Sequence, residues 1–274
     1  MQVPVILDSV THLTDAHRGA VTYSASHGGI YAAYYAAAKG VGAVILNDAG
    51  IGREQAGIAG LELLDQLGVP GAAVDNWTCR IGDGKDGLAR GIISTVNEAA
   101  ARLGVAVGMS CKDALAKLIA AAPPPSPAPK AEQEFRFEVP EASRDGVKVV
   151  VMDSISLVKP EDAGQIIVAA SHGGILGGRP ETAVKVDVYA AVVNDAARGL
   201  DDAGISRLPA LDARGIAGAC VSAFSCRIGD GRSHWGDGYI SAVNATAHRR
   251  GGRVGQNTRE FAAAMVTARA KELA

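Results

Sequence analysis

The sequence predicts an α/β fold made of two tandem homologous repeats with mostly parallel sheets, related by a pseudo-twofold axis. Three motifs occur twice in the same order: Ser-His-Gly-Gly, Asn-Asp and Cys-Arg-Ile-Gly-Asp-Gly. His172 follows His27 by 145 residues, and Cys226 follows Cys79 by 147. Each motif follows a short apolar run, a pattern typical of chains in which strands and helices alternate. The nearly constant offset indicates an internal duplication.

A proline-rich stretch separates the repeats. It begins Pro-Pro-Pro-Ser-Pro-Ala-Pro-Lys at residue 123, a composition that favours extended polyproline II and forms a spacer. We therefore predict a first α/β repeat over residues 1–122, an exposed linker over 123–134 and a second α/β repeat over 135–274. Each repeat is long enough to bury its own hydrophobic core.

The first repeat reads as alternating strands and helices. Gly68 predicts a helix end, and Ser110 with Asp113 predicts a helix start. In order, the predicted elements are a strand over 19–24 that leads to His27, a helix over 30–39, a strand over 41–46, a helix over 54–67, a segment over 69–77 that leads to Cys79, a helix over 86–103 and a last helix over 110–121.

The second repeat follows the same order with one departure. Gly177-Gly178-Arg179-Pro180-Glu181 stands where the first repeat has its Ala/Tyr-rich helix. The predicted elements are strands over 165–170, 186–193 and 216–224, a helix over 238–248, and a last helix that starts at Asn257 with Glu260. All three motifs of each repeat then lie at the carboxyl edge of a parallel sheet, where open α/β folds bind ligands.

Composition excludes several classes of partner. The formal net charge is −2, aromatic residues make up 4% of the chain, and no basic run stands out. We therefore expect no nucleic-acid partner and no membrane partner. The amino-terminal residues lack the basic and long apolar regions of a signal peptide, so we expect a cytoplasmic protein with reduced cysteines.

The Ser-His-Gly-Gly motif suggests an anion site. Glycine amides at a helix start suit a carboxylate or phosphate, and histidine is the usual general base near neutral pH. The catalytic candidates in this motif are His27 and His172. The substrate-binding candidates are Ser26, Gly28, Gly29, Ser171, Gly173 and Gly174. The alternative is a tight structural turn in which serine caps the helix and histidine packs internally.

The Asn-Asp motif ends the second predicted strand of each repeat. Its members Asn47, Asp48, Asn194 and Asp195 are substrate-binding candidates, because amides and carboxylates hold polar substrates or orient a histidine. The alternative is an Asx-turn or a helix cap, for which both residue types are well suited.

The Cys-Arg-Ile-Gly-Asp-Gly motif offers a nucleophile and a clamp. Arg80 and Arg227 are predicted to bind a substrate carboxylate with paired hydrogen bonds. The remaining catalytic candidates are Cys79, Asp83, Cys226 and Asp230. Cysteine serves as a nucleophile when its pKa is lowered, whereas a buried cysteine is a small hydrophobe and an Asp-Gly pair is an ordinary helix start.

These residues support one leading hypothesis and two alternatives. The leading hypothesis is a cytoplasmic enzyme, a hydrolase of a small carboxylate- or amide-bearing molecule, with its site between or at the ends of the repeats. The first alternative is a cofactor-independent two-base racemase or isomerase that uses the paired cysteines. The second alternative is a non-catalytic small-molecule binding or assembly protein whose repeated motifs form turns and caps.

No cofactor and no metal are predicted, since dinucleotide, P-loop and zinc-ligand spacings are missing from the sequence. The expected partners are a small-molecule substrate and further copies of the chain in a homo-oligomer. The plan of two halves with one cysteine each is analogous to that of cofactor-independent amino-acid racemases. The motifs around the cysteines differ from that family, so the analogy assigns no residue.

Overall fold

A computed structural model of the chain describes residues 3–130 and 135–274. These residues form two compact units. The first unit contains the first repeat together with two short segments of the second, Leu176–Gly178 and Arg198–Ala203, and the second unit contains the remainder of the second repeat. Each unit has a mixed, mostly parallel sheet with helices, which confirms the predicted α/β class with two similar halves.

In the described part of the first unit, the sheet has five strands arranged in chain order. The strands are β1 (Val5–Leu7), β2 (Val21–His27), β3 (Ala43–Asn47), β4 (Gly71–Val74) and β5 (Ile93–Val96). Strands β1 to β4 are parallel, and β5 pairs antiparallel with β4 at the edge. Strands β2, β3 and β4 are buried throughout, as expected for central parallel strands covered on both faces.

Helices cover both faces of this sheet. They are α1 (Ile30–Ala38), α2 (Gly60–Gln66), α3 (Gly84–Arg90), α4 (Glu98–Arg102) and α5 (Cys111–Ala121). Successive residues of β3 enter different apolar clusters, because side chains alternate along a strand. Val44 belongs to the cluster that includes α1 and α2, and Ile45 to the one that includes α5.

The second unit repeats this plan and adds an edge strand. Its described residues form a six-stranded sheet in the order β11-β10-β9-β8-β7-β6, with the two edge strands antiparallel to their neighbours. The strands are β6 (Arg136–Glu138), β7 (Val149–Met152), β8 (Ile166–His172), β9 (Ala190–Asn194), β10 (Ala217–Val221) and β11 (Ile240–Val243). The helices are α6 (Arg207–Ala213), α7 (Gly231–Asp237), α8 (Ala245–Arg249) and α9 (Thr258–Leu273).

The predicted start of the last helix of each unit is confirmed. Ser110 Oγ accepts the Asp113 N–H at 3.1 Å at the start of α5. Asn257 and Glu260 form a reciprocal capping box at the start of α9, with both hydrogen bonds at 2.9 Å. Each cap satisfies backbone donors that the first turn of a helix leaves unpaired.

The single helices predicted over 86–103 and 238–248 are wrong. The structure instead has a short helix, an antiparallel strand and a second short helix in the first unit. Helix α3 stops at Gly91, and the β-branched run after it forms β5. Such residues pack better on a sheet than in a helix, and here the sheet edge supplies their hydrogen bonds.

Two further predictions need correction. The helix predicted from residue 54 begins at Gly60, because Glu54 has a φ of 54°, in the left-handed region that a helix excludes. The linker is mostly exposed as predicted, but Ser126 is buried: its Oγ donates to Ala37 O at 2.7 Å and its N–H to Val41 O at 3.0 Å. Residues 131–134 of the predicted linker lie outside the described residues.

The units differ most where the sequence departs from its repeat. The second repeat has two 3₁₀ turns in place of α1, and Arg207 occupies the position that Gly60 has in the first repeat. The buried Arg207 guanidinium donates to the carbonyls of Gly174, Thr182 and Ala183. One buried arginine thus satisfies loop carbonyls that a helix would have satisfied itself.

A second difference lies inside the two sheets. In the first unit, Tyr23 on β2 projects against α3 at Gly87, where an added Cβ would overlap the Tyr23 ring and hydroxyl. In the second unit, the corresponding residues are Val168 and His234. The first unit thus has a large side chain on the strand and a glycine on the helix. The second unit has a smaller side chain on the strand and an imidazole on the helix.

We predict that Gly87→Ala destabilises the protein by about 1–3 kcal/mol, the usual result of overpacking a core. The effect should shrink in a Tyr23→Val background, where the ring is gone, so a double-mutant cycle measured by urea unfolding should show coupling. Gly236→Ala in α7 is the matched control. Its added methyl would lie 3.9 Å from the nearest atom, Arg259 Nη2, and should leave stability unchanged or raised. Equal losses at both glycines would contradict the packing argument.

Candidate functional site

The repeated motifs lie at the carboxyl edge of each sheet, within each unit. In the first unit, His27 ends β2, Asn47 ends β3, and the two residues are paired in the strand register. In the second unit, His172 and Asn194 are paired in the same way at the ends of β8 and β9. In both units, the histidine and the asparagine therefore lie side by side at the carboxyl edge of the sheet.

The glycine amides predicted to bind an anion are already hydrogen-bonded within each unit. Gly28 N–H donates to Asn47 O at 2.7 Å, and Gly29 N–H donates to His27 Nδ1 at 3.1 Å. The second unit repeats both contacts. Gly173 N–H reaches Asn194 O at 2.6 Å and Gly174 N–H reaches His172 Nδ1 at 3.2 Å. In this conformation all four donors point to acceptors of the chain itself.

Close packing accounts for glycine at these turns. A Cβ on Gly29 would lie 2.8 Å from His27 Nδ1 and 2.9 Å from Ala56 O, and one on Gly28 would lie 2.8 Å from Gly57 O. Contacts this short require the neighbouring backbone to move. The glycines therefore let the following loop approach the strand end.

The two histidines are held in one tautomer. Because a backbone N–H can only donate, Nδ1 of His27 and of His172 accepts, and the ring proton of each neutral imidazole lies on Nε2. Both rings are buried, with about 5% of each residue exposed. Such a ring presents an N–H donor from Nε2, whereas a general base needs an unprotonated nitrogen at the substrate.

The serines of these motifs anchor the first strand of each sheet. Ser26 Oγ accepts the Val10 N–H at 2.9 Å, and Ser171 Oγ accepts the Ile155 N–H at the same distance. Each bond joins the motif to the 3₁₀ turn after β1 or β7. The serines therefore have a structural partner where the sequence predicted a substrate contact.

The Asn-Asp motifs brace a left-handed turn, which is the arrangement that the Asx-turn alternative describes. Residues 49–52 and 196–199 all have positive φ, between 44° and 70°. Asn47 Oδ1 accepts the Ala49 N–H at 2.8 Å, and Asp48 Oδ1 accepts the Gly50 N–H at 2.9 Å. Non-glycine residues adopt this conformation only when their surroundings enforce it, so these side chains act as Asx supports.

The second unit uses the same supports. Asn194 Oδ1 accepts the Ala196 N–H and Asp195 Oδ1 accepts the Ala197 N–H, both at 2.9 Å. Asp195 Oδ1 also accepts the Ala223 N–H at 2.8 Å, which ties the turn to the chain after β10. The run of left-handed residues has one further signal in the sequence. In both repeats an alanine stands two residues after the asparagine, and a glycine stands three residues after that alanine.

The two repeated cysteines are buried in the apolar cores of their own units. Asn47 Nδ2 donates to Cys79 Sγ and Asn194 Nδ2 to Cys226 Sγ, each at 3.7 Å. Burial raises the pKa of the Cys79 thiol to about 11. A nucleophilic cysteine needs a lowered pKa and access to solvent, so these surroundings favour the structural alternative.

The arginines bind carboxylates of the chain. Arg80 Nη2 lies 2.8 Å from Asp201 Oδ2, within the first unit. Arg227 Nη2 lies 2.8 Å from Asp230 Oδ2, and its Nε donates to the same oxygen at 3.0 Å. Both guanidinium groups therefore bind aspartates of the protein itself, and their binding of a substrate carboxylate stays a prediction.

The aspartates of the third motif cap helices. Asp83 Oδ1 accepts the Asp86 N–H at the start of α3, and Asp230 Oδ1 accepts the Ser233 N–H at the start of α7, both at 3.0 Å. Neither cap bond involves His27 or His172. The structure therefore shows the helix-cap alternative, and the catalytic roles assigned to the six candidate residues stay predictions.

Another repeated aspartate was missed by the sequence analysis. Asp8 Oδ1 accepts the Gly84 N–H at 2.9 Å, and Asp153 Oδ1 accepts the Gly231 N–H at 2.8 Å. Burial raises the pKa of Asp153. The signal was the Asp-Ser pair that follows the first parallel strand of each unit, at the same 145-residue offset as the histidines.

A surface cleft lies elsewhere in the first unit, near the amino end of β4. Its lining includes the acidic side chains of Glu62, Asp65 and Glu98 and none of the predicted site residues. Within residues 3–130 and 135–274, no group of three or more His, Cys, Asp or Glu side chains is arranged to hold a metal ion. No helix in these ranges is long and apolar enough to cross a membrane.

The chain matches no protein-family model, and neither curated proteins nor solved structures show significant similarity to it.

We predict that the thiols are unreactive in the folded protein. All four cysteines are buried, and burial also raises the pKa of Cys111 to about 12. Titration with Ellman's reagent at pH 8 should detect no fast-reacting thiol in buffer and four in denaturant. The Cys79→Ser, Cys226→Ser double variant should show the same slow reaction when folded. A thiol that reacts rapidly in the wild type and is lost in this variant would restore the cysteine hypotheses.

Stability should fall in acid because of His234. This fully buried ring shares a hydrogen bond of 3.0 Å with Asp230 O through Nδ1 and one of 3.2 Å with Asn194 Nδ2 through Nε2. Burial lowers its pKa from 6.5 to about 4. Between these values the unfolded chain binds the proton and the folded chain does not. The stabilisation is therefore complete above pH 6.5 and is lost toward pH 4.

The contribution of His234 to this loss is at most about 1.4 kcal/mol per pH unit. Urea unfolding of wild type and His234→Gln from pH 7.5 to 4.5 should give a shallower slope for the variant. The comparison is needed because Asp48 and Asp153, whose pKa values are raised by burial, oppose the slope in both proteins. Parallel slopes would contradict the prediction, because they would mean that the folded and the unfolded chain protonate His234 at the same pH.

Proposed function

We propose that this chain is a non-catalytic assembly protein, a tandem α/β scaffold that forms homo-oligomers. The observation that carries the proposal is that the polar groups of the repeated motifs are bound within the chain in both units, and that the glycine, asparagine and aspartate contacts are the same in each. Glycine amides, asparagine and aspartate oxygens, and arginine guanidinium groups all have partners within the chain.

The enzyme hypotheses require histidines and cysteines in protonation states and positions that differ from those in the structure. A hydrolase would need a base nitrogen or a thiolate directed at substrate, and a two-base racemase would need both cysteines at one carbon. The motif histidines carry their proton on Nε2, and each cysteine lies in an apolar core. The motifs are explained as supports for strand ends, tight turns and helix starts.

Exposed apolar side chains support an assembly role. Trp77 is 59% exposed in the first unit and Phe224 is 67% exposed in the second, at equivalent positions of the repeat. Aromatic residues are enriched at protein interfaces, where their large surface is removed from water. A large, apolar and exposed side chain at the same position of both units favours binding to another protein surface.

We predict that the full chain self-associates reversibly. Sedimentation velocity over a dilution series should give a weight-average mass that rises with concentration above the 27.9 kDa of one chain. Disturbing a motif support, as in Asn47→Ala, should lower the urea midpoint, because it leaves the Ala49 N–H without its acceptor. A chain that sediments as a monomer at every concentration would overturn the proposal.

A further inference from the structure

The two units carry equivalent apolar surfaces, which we call the first rim and the second rim. The first rim consists of the exposed Trp77 and Val107, and the second of the exposed Phe224, Tyr239 and Val254. Trp77 corresponds to Phe224, and Val107 to Val254, each at the 147-residue offset of the third motif. The rims were not noticed in the sequence, because a lone aromatic or valine in a loop has no periodic pattern.

Each rim lies on three neighbouring segments of backbone. In the first unit, Asp75 N–H donates to Ile92 O and Gly108 N–H donates to Ile93 O, both at 2.8 Å. These bonds place the segment after β4, the start of β5 and the loop after α4 side by side.

The second unit has the same arrangement. Ser222 N–H donates to Tyr239 O and Gly255 N–H donates to Ile240 O, both at 2.9 Å. Helix α7 ends at Asp237 and β11 begins at Ile240, so Tyr239 lies in the short connection between them. Backbone hydrogen bonds therefore hold the segments that carry each rim side by side at an outer edge of the sheet.

The charges beside the two rims are opposite. Asp75 lies beside Trp77, and its counterpart in the second unit is the neutral Ser222. Arg253 lies beside Val254, and its counterpart is the neutral Ala106. In the described ranges, neither Asp75 nor Arg253 forms an ion pair. Asp75 Oδ1 accepts the Trp77 N–H at 2.7 Å and Arg253 Nη1 donates to His248 O at 2.7 Å, so each charge is hydrogen-bonded but lacks an opposite charge. Lys112 with Arg259 and Asp113 with Glu260 have the same sign in both units. Arg90 and Asp237 align with the reverse signs, but each is bound within its own unit: Arg90 Nη2 lies 2.6 Å from Asp86 Oδ1, and Asp237 Oδ2 accepts from Ser233 Oγ at 2.9 Å.

We infer that the first rim of one copy binds the second rim of another copy, head to tail. This inference rests on the proposed assembly function and names its interface. Burying the aromatic and valine side chains removes apolar surface from water, and pairing unlike rims brings Asp75 toward Arg253. In the same geometry, like rims would place Asp75 opposite the neutral Ala106 and Arg253 opposite the neutral Ser222, and no ion pair would form.

The test uses two full-length variants that each lack one rim. Trp77→Glu disables the first rim and Phe224→Glu the second, while Leu273→Glu alters an exposed apolar residue of α9 outside both rims as the control. Circular dichroism and thermal unfolding establish that each variant is folded. Sedimentation velocity is then run on each variant alone and on an equimolar mixture of the two rim variants.

Each rim variant alone should have a dissociation constant at least about tenfold weaker than wild type, the usual effect of losing a central aromatic anchor. The mixture should form a one-to-one complex, because an intact second rim in Trp77→Glu meets an intact first rim in Phe224→Glu. Leu273→Glu should associate like wild type. Arg253→Glu should weaken the association and reduce its dependence on salt.

Several outcomes would overturn the inference. If wild type associates and both rim variants do so equally well, another surface forms the oligomer and only the rim assignment fails. If Phe224→Glu alone associates like wild type, first rims pair with each other and the head-to-tail arrangement is wrong. If wild type is monomeric at all concentrations, the proposed assembly function fails together with the rims.

Discussion

The structure of both units depends on satisfying backbone N–H groups where the central strands end. At these points the chain leaves a buried sheet and turns sharply, and a buried N–H without an acceptor would cost about as much as a lost hydrogen bond. Gly28 and Gly173 donate to the carbonyl of the asparagine on the next strand, and the following glycines donate to the histidine ring. Histidine and asparagine are thus parts of one hydrogen-bonded edge.

The rest of the carboxyl edge follows from that constraint. The asparagine side chain uses its oxygen on the left-handed turn and its nitrogen on the buried cysteine sulfur. The aspartate that follows it joins the turn to the chain after the next strand, through Asn76 in the first unit and Ala223 in the second. The polar residues of these motifs therefore hold the turns at the carboxyl edge in both units.

The two units form the same arrangement of strands and turns with different residues at some equivalent positions. Tyr23 and Gly87 in the first unit correspond to Val168 and His234 in the second, so the polar group beside the Asn–Cys pair comes from a strand in one case and a helix in the other. Arg207 likewise supplies hydrogen bonds where the second unit lacks a counterpart of α1. In such exchanges, side chains from different positions supply the polar contacts and fill the space beside the sheet, so the residue type at each position is free to change.

Local periodicity and short-range hydrogen bonds were enough to predict the duplication, the α/β class, the strand ends at His27 and Asn47 and the caps at Ser110 and Asn257. The edge strands β5 and β11 required the tertiary structure, since their β-branched residues gain hydrogen bonds only beside β4 and β10. The state of the motif residues was likewise decided in three dimensions. Whether a glycine amide, an arginine or a cysteine faces solvent or a partner depends on residues distant in the chain, and no spacing in the sequence encodes that contact.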